Sequence, residues 1–156
     1  NKHKLLLYLS SWYWSWIEYR LVFATTNVSD PMEKLAKAIE IVTEEIKDDL
    51  SITHINESIL NKIIIGEFTK TFLTKEIDEE NKEGYFLVYK SVVNRIILMI
   101  EEVNADYKYA KTLASTIVQG ALHQHYLKEH FKNITNLSES NCLADFYIDL
   151  IKKTVL

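Results

Sequence analysis

The sequence predicts an all-α protein, a six-helix bundle, and three observations carry that prediction. Glycine occurs three times and proline once in 156 residues, so the turn chemistry of a sheet protein is almost absent. No Asn-Gly or Asp-Gly hairpin pair occurs anywhere. Apolar residues recur instead at steps of three and four along most of the chain. At this length the chain is one domain, able to bury about 70% of its unfolded surface.

The first helix spans Leu5 to Phe23 and is the element around which the rest is organised. It holds all three tryptophans, Trp12, Trp14 and Trp16. Leu5, Leu9, Trp12, Trp16, Tyr19 and Phe23 form one stripe, with Leu6, Tyr13, Ile17 and Ala24 beside it. Leu7, Trp14 and Leu21 fall on the remaining side. A helix apolar nearly all round is expected to be buried on most sides. A membrane span would need roughly 20 uncharged apolar residues, and Glu18, Arg20 and three serines interrupt this run.

The second helix starts at Asp30-Pro31. Asp30 suits the cap, Pro31 the first helical position, and Glu33 the capping-box position. Met32, Leu35, Ile39, Val42 and Ile46 give its apolar face, and it is expected to end near Asp48-Asp49. A third helix is expected from His54–Asn56 to about Leu73, with Ile59, Leu60, Ile63, Ile64, Phe68 and Phe72 inward. Glu76 to Glu83 reads as a solvated connection or a polar first turn. Phe86, Tyr89, Val93, Ile96, Ile100 and Val103 mark the fourth helix, which Asn104-Ala105-Asp106 stops.

The fifth helix, Tyr109 to Phe131, differs in kind. Ala110, Ala114, Ser115, Gly120 and Ala121 are small, and Gly120 costs about 1 kcal/mol relative to alanine, so close packing is expected there. Ser138 to Asn141 offers caps for a sixth helix, with Leu143, Phe146, Tyr147, Leu150 and Ile151 on one side.

Charge and cysteine usage narrow the function classes. A net charge of −4 with no basic block does not predict nucleic-acid binding by this stretch itself. The one cysteine, Cys142, leaves no internal disulfide and fits a reducing, cytoplasmic setting. Lys2 and Lys4 precede an apolar run, but no small-residue cleavage site follows, so a signal peptide is not expected. Glu-x-x-His pairs, the mark of a di-iron bundle, are absent, and three scattered glycines build no phosphate loop. His123 and His125 do not share a helix face, whereas His123 and His130, seven apart, nearly do. A zinc site would still need further ligands and Cys142 is the only thiol, so no metal site and no cofactor are expected. An enzyme is therefore not the expected class.

The opening Asn1-Lys2-His3-Lys4-Leu5-Leu6 resembles the junction after the helix-turn-helix head in the tetracycline-repressor (TetR) family. The Asp30-Pro31-x-Glu33-x-Leu35 start of the second helix and the phrase from Leu113 to Gln124 are similar to that family's C-terminal body. The resemblance implies that residues 1–4 are the remnant of a junction to a head lying upstream. It implies that residues 5–156 are the ligand-binding and dimerisation domain of a transcriptional repressor. Lys2 would touch a DNA phosphate, operator DNA being bound only through that head. The last two helices would form a four-helix bundle with a second subunit, through Leu113, Ile117, Gly120, Ala121, Gln124, Phe146 and Leu150.

The first four helices would line a pocket for a small apolar or amphipathic effector. Trp12, Trp16, Tyr19, Phe68, Phe86 and Tyr89 are its expected apolar wall, and Arg20 and Glu67 its polar anchors. The plainer alternative makes the aromatic residues core and the charges an ordinary ion pair. A helical interaction module with no small-molecule ligand is the competing function.

Overall fold

The computed structural model describes residues 2–45, 57–72, 76–138 and 142–156, without the side chains of 57, 58 and 68–72. Among the described residues all regular structure is helical, with seven α-helices and no strand. They are α1 (Lys2–Thr25), α2 (Pro31–Thr43), α3 (Glu57–Phe72), α4 (Ile77–Lys82), α5 (Leu87–Val103), α6 (Ala110–His130) and α7 (Leu143–Thr154). A single 3₁₀ turn, Lys132–Ile134, follows α6. No described helix is long and apolar enough to cross a membrane.

At 24 residues α1 is the longest of the described helices, and α2, α3 and α5 pack along it. Leu7, Tyr13, Trp14, Ile17 and Leu21 are its buried apolar residues. Tyr13, Trp14, Ile17 and Leu21 meet Leu35, Ala38 and Ile39 of α2, Ile64 of α3, and Val92, Ile96 and Ile100 of α5 in one core. α6 closes that core with Ala114, Ile117, Val118 and Ala121, and α7 adds Tyr147 and Ile151.

The start of α2 is built as its sequence requires: the Asp30 carboxylate accepts from the Glu33 amide at 2.9 Å, and Pro31 occupies the first turn. Its described end is earlier than expected, since Thr43 closes the helix and Glu44 is already extended. Ile46 and Asp48-Asp49 lie outside the described residues.

The acidic stretch is neither a connection nor a first turn but a helix of its own, α4, which makes seven α-helices among the described residues where six were expected. Its Glu80 is buried and bonded to His3 Nε2 of α1 at 2.7 and 2.9 Å, an anchor that periodicity does not reveal. Gly84, at φ 89°, then ends it in a left-handed turn. The Gly84 amide donates to the Asn81 carbonyl and the Tyr85 amide to the Glu80 carbonyl, which satisfies two helix-end acceptors. At the far end, Asn104 Nδ2 donates to the Val155 carbonyl at 2.7 Å and ties α5 to α7.

Candidate functional site

The orientation of α1 decides which of its aromatic side chains can meet a ligand. The α2, α3 and α5 neighbours cover the side carrying Leu7, Ser10, Trp14, Ile17 and Leu21. The stripe expected to line a pocket points the other way. Trp12 is 49% exposed, Tyr19 70% and Phe23 79%. Tyr19 and Phe23 stack on one another at 6.4 Å.

The remaining expected pocket residues do not converge either. Trp16 lies at the core's edge under the Arg20 guanidinium, 4.9 Å from its ring centre. Arg20 also pairs with Glu44. Phe86 is buried core. Tyr89 packs edge-on against Trp14 at 5.1 Å, and its hydroxyl accepts from Gln119 at 2.7 Å. Glu67 is half-buried on α3. The Phe68 side chain lies outside the described residues. The expected pocket wall is thus partly core and partly outer surface, because four packed helices fill the space behind Trp14.

Two cavities lie elsewhere, at the C-terminal end of α6. The larger, about 770 Å³, is walled by Lys62, Ile65 and Gly66 of α3, Glu45 after α2, His125 to His130 of α6 except Leu127, and Lys132 with Thr135–Ser138. The smaller, about 420 Å³, lies between Gln124, the 134–137 segment and Cys142, Leu143, Asp145 and Phe146. Thr135, Asn136 and Leu137 border both, so one stretch of chain partitions the two spaces. That stretch is pinned to α6, since the Thr135 hydroxyl donates to Gln124 Oε1 at 2.7 Å and accepts from the Leu137 amide at 3.1 Å.

His125 is the side chain with unusual chemistry at the larger cavity. It is buried, and its Nε2 lies 2.8 Å from the Thr43 carbonyl. A carbonyl only accepts, so Nε2 carries the proton, and Nδ1 is an acceptor that has no partner. Burial pushes its pKa below the ordinary value, which keeps the ring neutral. Lys128 and Glu45 pair across the cavity wall at 3.0 Å. The lining mixes three lysines and two glutamates with Ile65, Tyr126 and Leu137, where a mostly apolar wall was expected. Among the described residues no cluster of His, Cys, Asp or Glu is arranged to hold a metal ion.

The residues expected to meet a second subunit are divided. Leu113, Ile117 and Ala121 are buried inside the chain, against α5 and the rest of its own core, and offer no surface to a partner. Gly120 does mark close packing, but within the chain: a Cβ there would stand 2.5 Å from the Tyr147 hydroxyl of α7. Burial also raises the Tyr147 pKa to about 12. Gln124 is engaged by Thr135, whereas Phe146 is exposed and Leu150 half-buried. Lys2 is exposed at the start of α1.

Sequence reasoning missed the α3 wall, above all Gly66, and the partitioning segment after α6. The available signal was a mid-helix glycine with no packing partner, since a Cβ at Gly66 meets nothing within 4 Å. His125, set among apolar residues of α6, was the second. No protein-family model matches this chain, and neither a curated protein nor a solved structure matches it.

Proposed function

We propose that this chain is the ligand-sensing and dimerisation body of a TetR-like transcriptional repressor, and not an enzyme. Its effector occupies the cavity beside His125 instead of a space behind the tryptophans. The observation that carries this reading is the position of that cavity, which α3, α6 and the end of α2 border together. α2 and α3 both pack on α1, the helix that would lead to the DNA-binding head. A ligand that prefers one spacing of α2 and α3 over another therefore biases the tilt of α1. Three lysines beside apolar groups suit an amphipathic molecule with a polar or anionic end. The exposed Phe146 and half-buried Leu150 of α7 are the residues left to carry the implied pairing of last helices.

The test is a thermal-shift screen of amphipathic small molecules against the wild type and Gly66→Phe. Gly66 borders the cavity and a Cβ there meets nothing within 4 Å, so a phenyl group at this position is expected to intrude on the site. A true effector stabilises the wild type by about 2.7 kcal/mol at a hundred times its dissociation constant. It leaves Gly66→Phe unshifted. Equal shifts in both proteins, or none in either, defeat the assignment.

A further inference from the structure

Among the described residues, the outer face of α1 carries a largely uncovered apolar seam, with the Tyr85 ring edge-on against Tyr8 at 5.8 Å. Leu5, Tyr8, Trp12, Ser15, Tyr19 and Val22 follow one another at steps of three and four, the spacing of the contact positions in a two-helix coil. All six are exposed, and Phe23 flanks them. None of the seven is charged; Lys4 adjoins the seam at its start, while Glu18 is engaged with Arg95 and Ser91, and Arg20 with Glu44.

We infer that this seam is a self-association surface, on which a second copy of the chain docks with its own α1 antiparallel about a two-fold axis at Ser15. Two features of the seam select a second copy as the occupant. Bulky aromatic groups flank Ser15 on both sides, Trp12 and Tyr8 before it and Tyr19 after it. Trp12 stands opposite Tyr19 of the other copy, Tyr8 opposite Val22, and the small Ser15 opposite itself at the crossing. An interface closed by a two-fold axis needs that self-complementarity. A small residue at the crossing lets the two backbones approach while the aromatic groups interleave on either side.

The area is also of the right size. Aromatic side chains offer about 150–250 Å² each. The six apolar residues, 38 to 79% exposed, leave roughly 700–900 Å² facing solvent. A standard interface needs about 800 Å² from each partner, whereas the largest apolar patch on a typical monomer is about 300–600 Å². This surface is independent of the effector cavity and of Phe146 on α7.

The test uses Ser15→Cys in a Cys142→Ala background, which removes the exposed native thiol. Two cysteines at the crossing lie within the roughly 4.4–6.8 Å Cα separation a disulfide needs, so mild oxidation yields a covalent dimer. Sedimentation of the wild type against Trp12→Lys/Tyr19→Lys measures the same contact without chemistry. Both side chains face solvent, so the helical circular dichroism stays unchanged while the dissociation constant rises at least ~30-fold. Phe146→Lys leaves the Ser15→Cys cross-link intact. A wild type that stays monomeric at high micromolar concentration overturns the proposal. So does a cross-link that survives the double lysine substitution, or a monomer that instead associates with lipid vesicles.

Discussion

The two faces of α1 are nearly equal in composition and opposite in circumstance. Trp14 and Trp12 are two residues apart on the same helix, yet Trp14 is 3% exposed and Trp12 49%. Trp14 meets Tyr13 and Tyr89 edge-on, at 5.0 and 5.1 Å, whereas the Trp12 face looks outward. Hydrophobicity alone does not choose between these faces. The choice falls to the helices available to cover them, and α2, α3 and α5 all lie on one side. An apolar face left over after a core closes is a property of the assembly, not a defect of the helix.

The largest test of that contrast is Trp14→Ala, expected to cost about 3–5 kcal/mol in chemical denaturation, because it opens a cavity that its rigid neighbours cannot fill. A loss below ~1 kcal/mol would mean that the inner face is no better packed than the outer one. Next comes Gly120→Ala, where the new methyl group would meet the Tyr147 hydroxyl. Overpacking of this kind costs about 1–3 kcal/mol. Tyr147→Phe in the same chain, which removes the hydroxyl, should recover most of the loss. A neutral Gly120→Ala would show that α6 and α7 are not held together at this point.

His125 extends the same contrast to charge. Its pKa is depressed from 6.5 by burial, so below that value the unfolded chain takes up a proton that the folded chain refuses. The stability it contributes is fully present above pH 6.5 and is lost as pH falls through the depressed folded value. Melting temperatures recorded from neutral pH down to about pH 5 should therefore fall more steeply in the wild type than in His125→Gln. Parallel curves would remove His125 as the cause. The smallest effect is expected of Trp12→Ala. In dilute solution, where copies of the chain stay apart, it should change stability by less than ~0.5 kcal/mol. A larger loss would place Trp12 in the core and erase the distinction between the two faces.

Much of the architecture was legible before any coordinate. Asp30, Pro31 and Glu33 act within one turn, so the beginning of α2 could be placed to the residue. The extents of α5, α6 and α7 followed from periodicity in the same way, to within a residue or two at each end. The short helix α4 was not legible, because its anchor is a bond from Glu80 to His3, 77 positions away. That part of the expected pocket wall lies at the surface was not legible either, since Trp12 and Tyr19 satisfy a helical stripe as well as Trp14 does.

The sequence by itself determined that the chain is helical, where most helices begin and end, and which residues are apolar enough to be core. These are matters of turn chemistry, capping and spacing, which act over a few residues. Only the tertiary structure decided which side of α1 faces inward. It alone showed that Gly120 makes room for Tyr147, that Leu113, Ile117 and Ala121 belong to the chain's own core, and that the cavity lies by His125. Each of these depends on which helix stands opposite, and residues far apart in sequence settle that by competing for the same buried space.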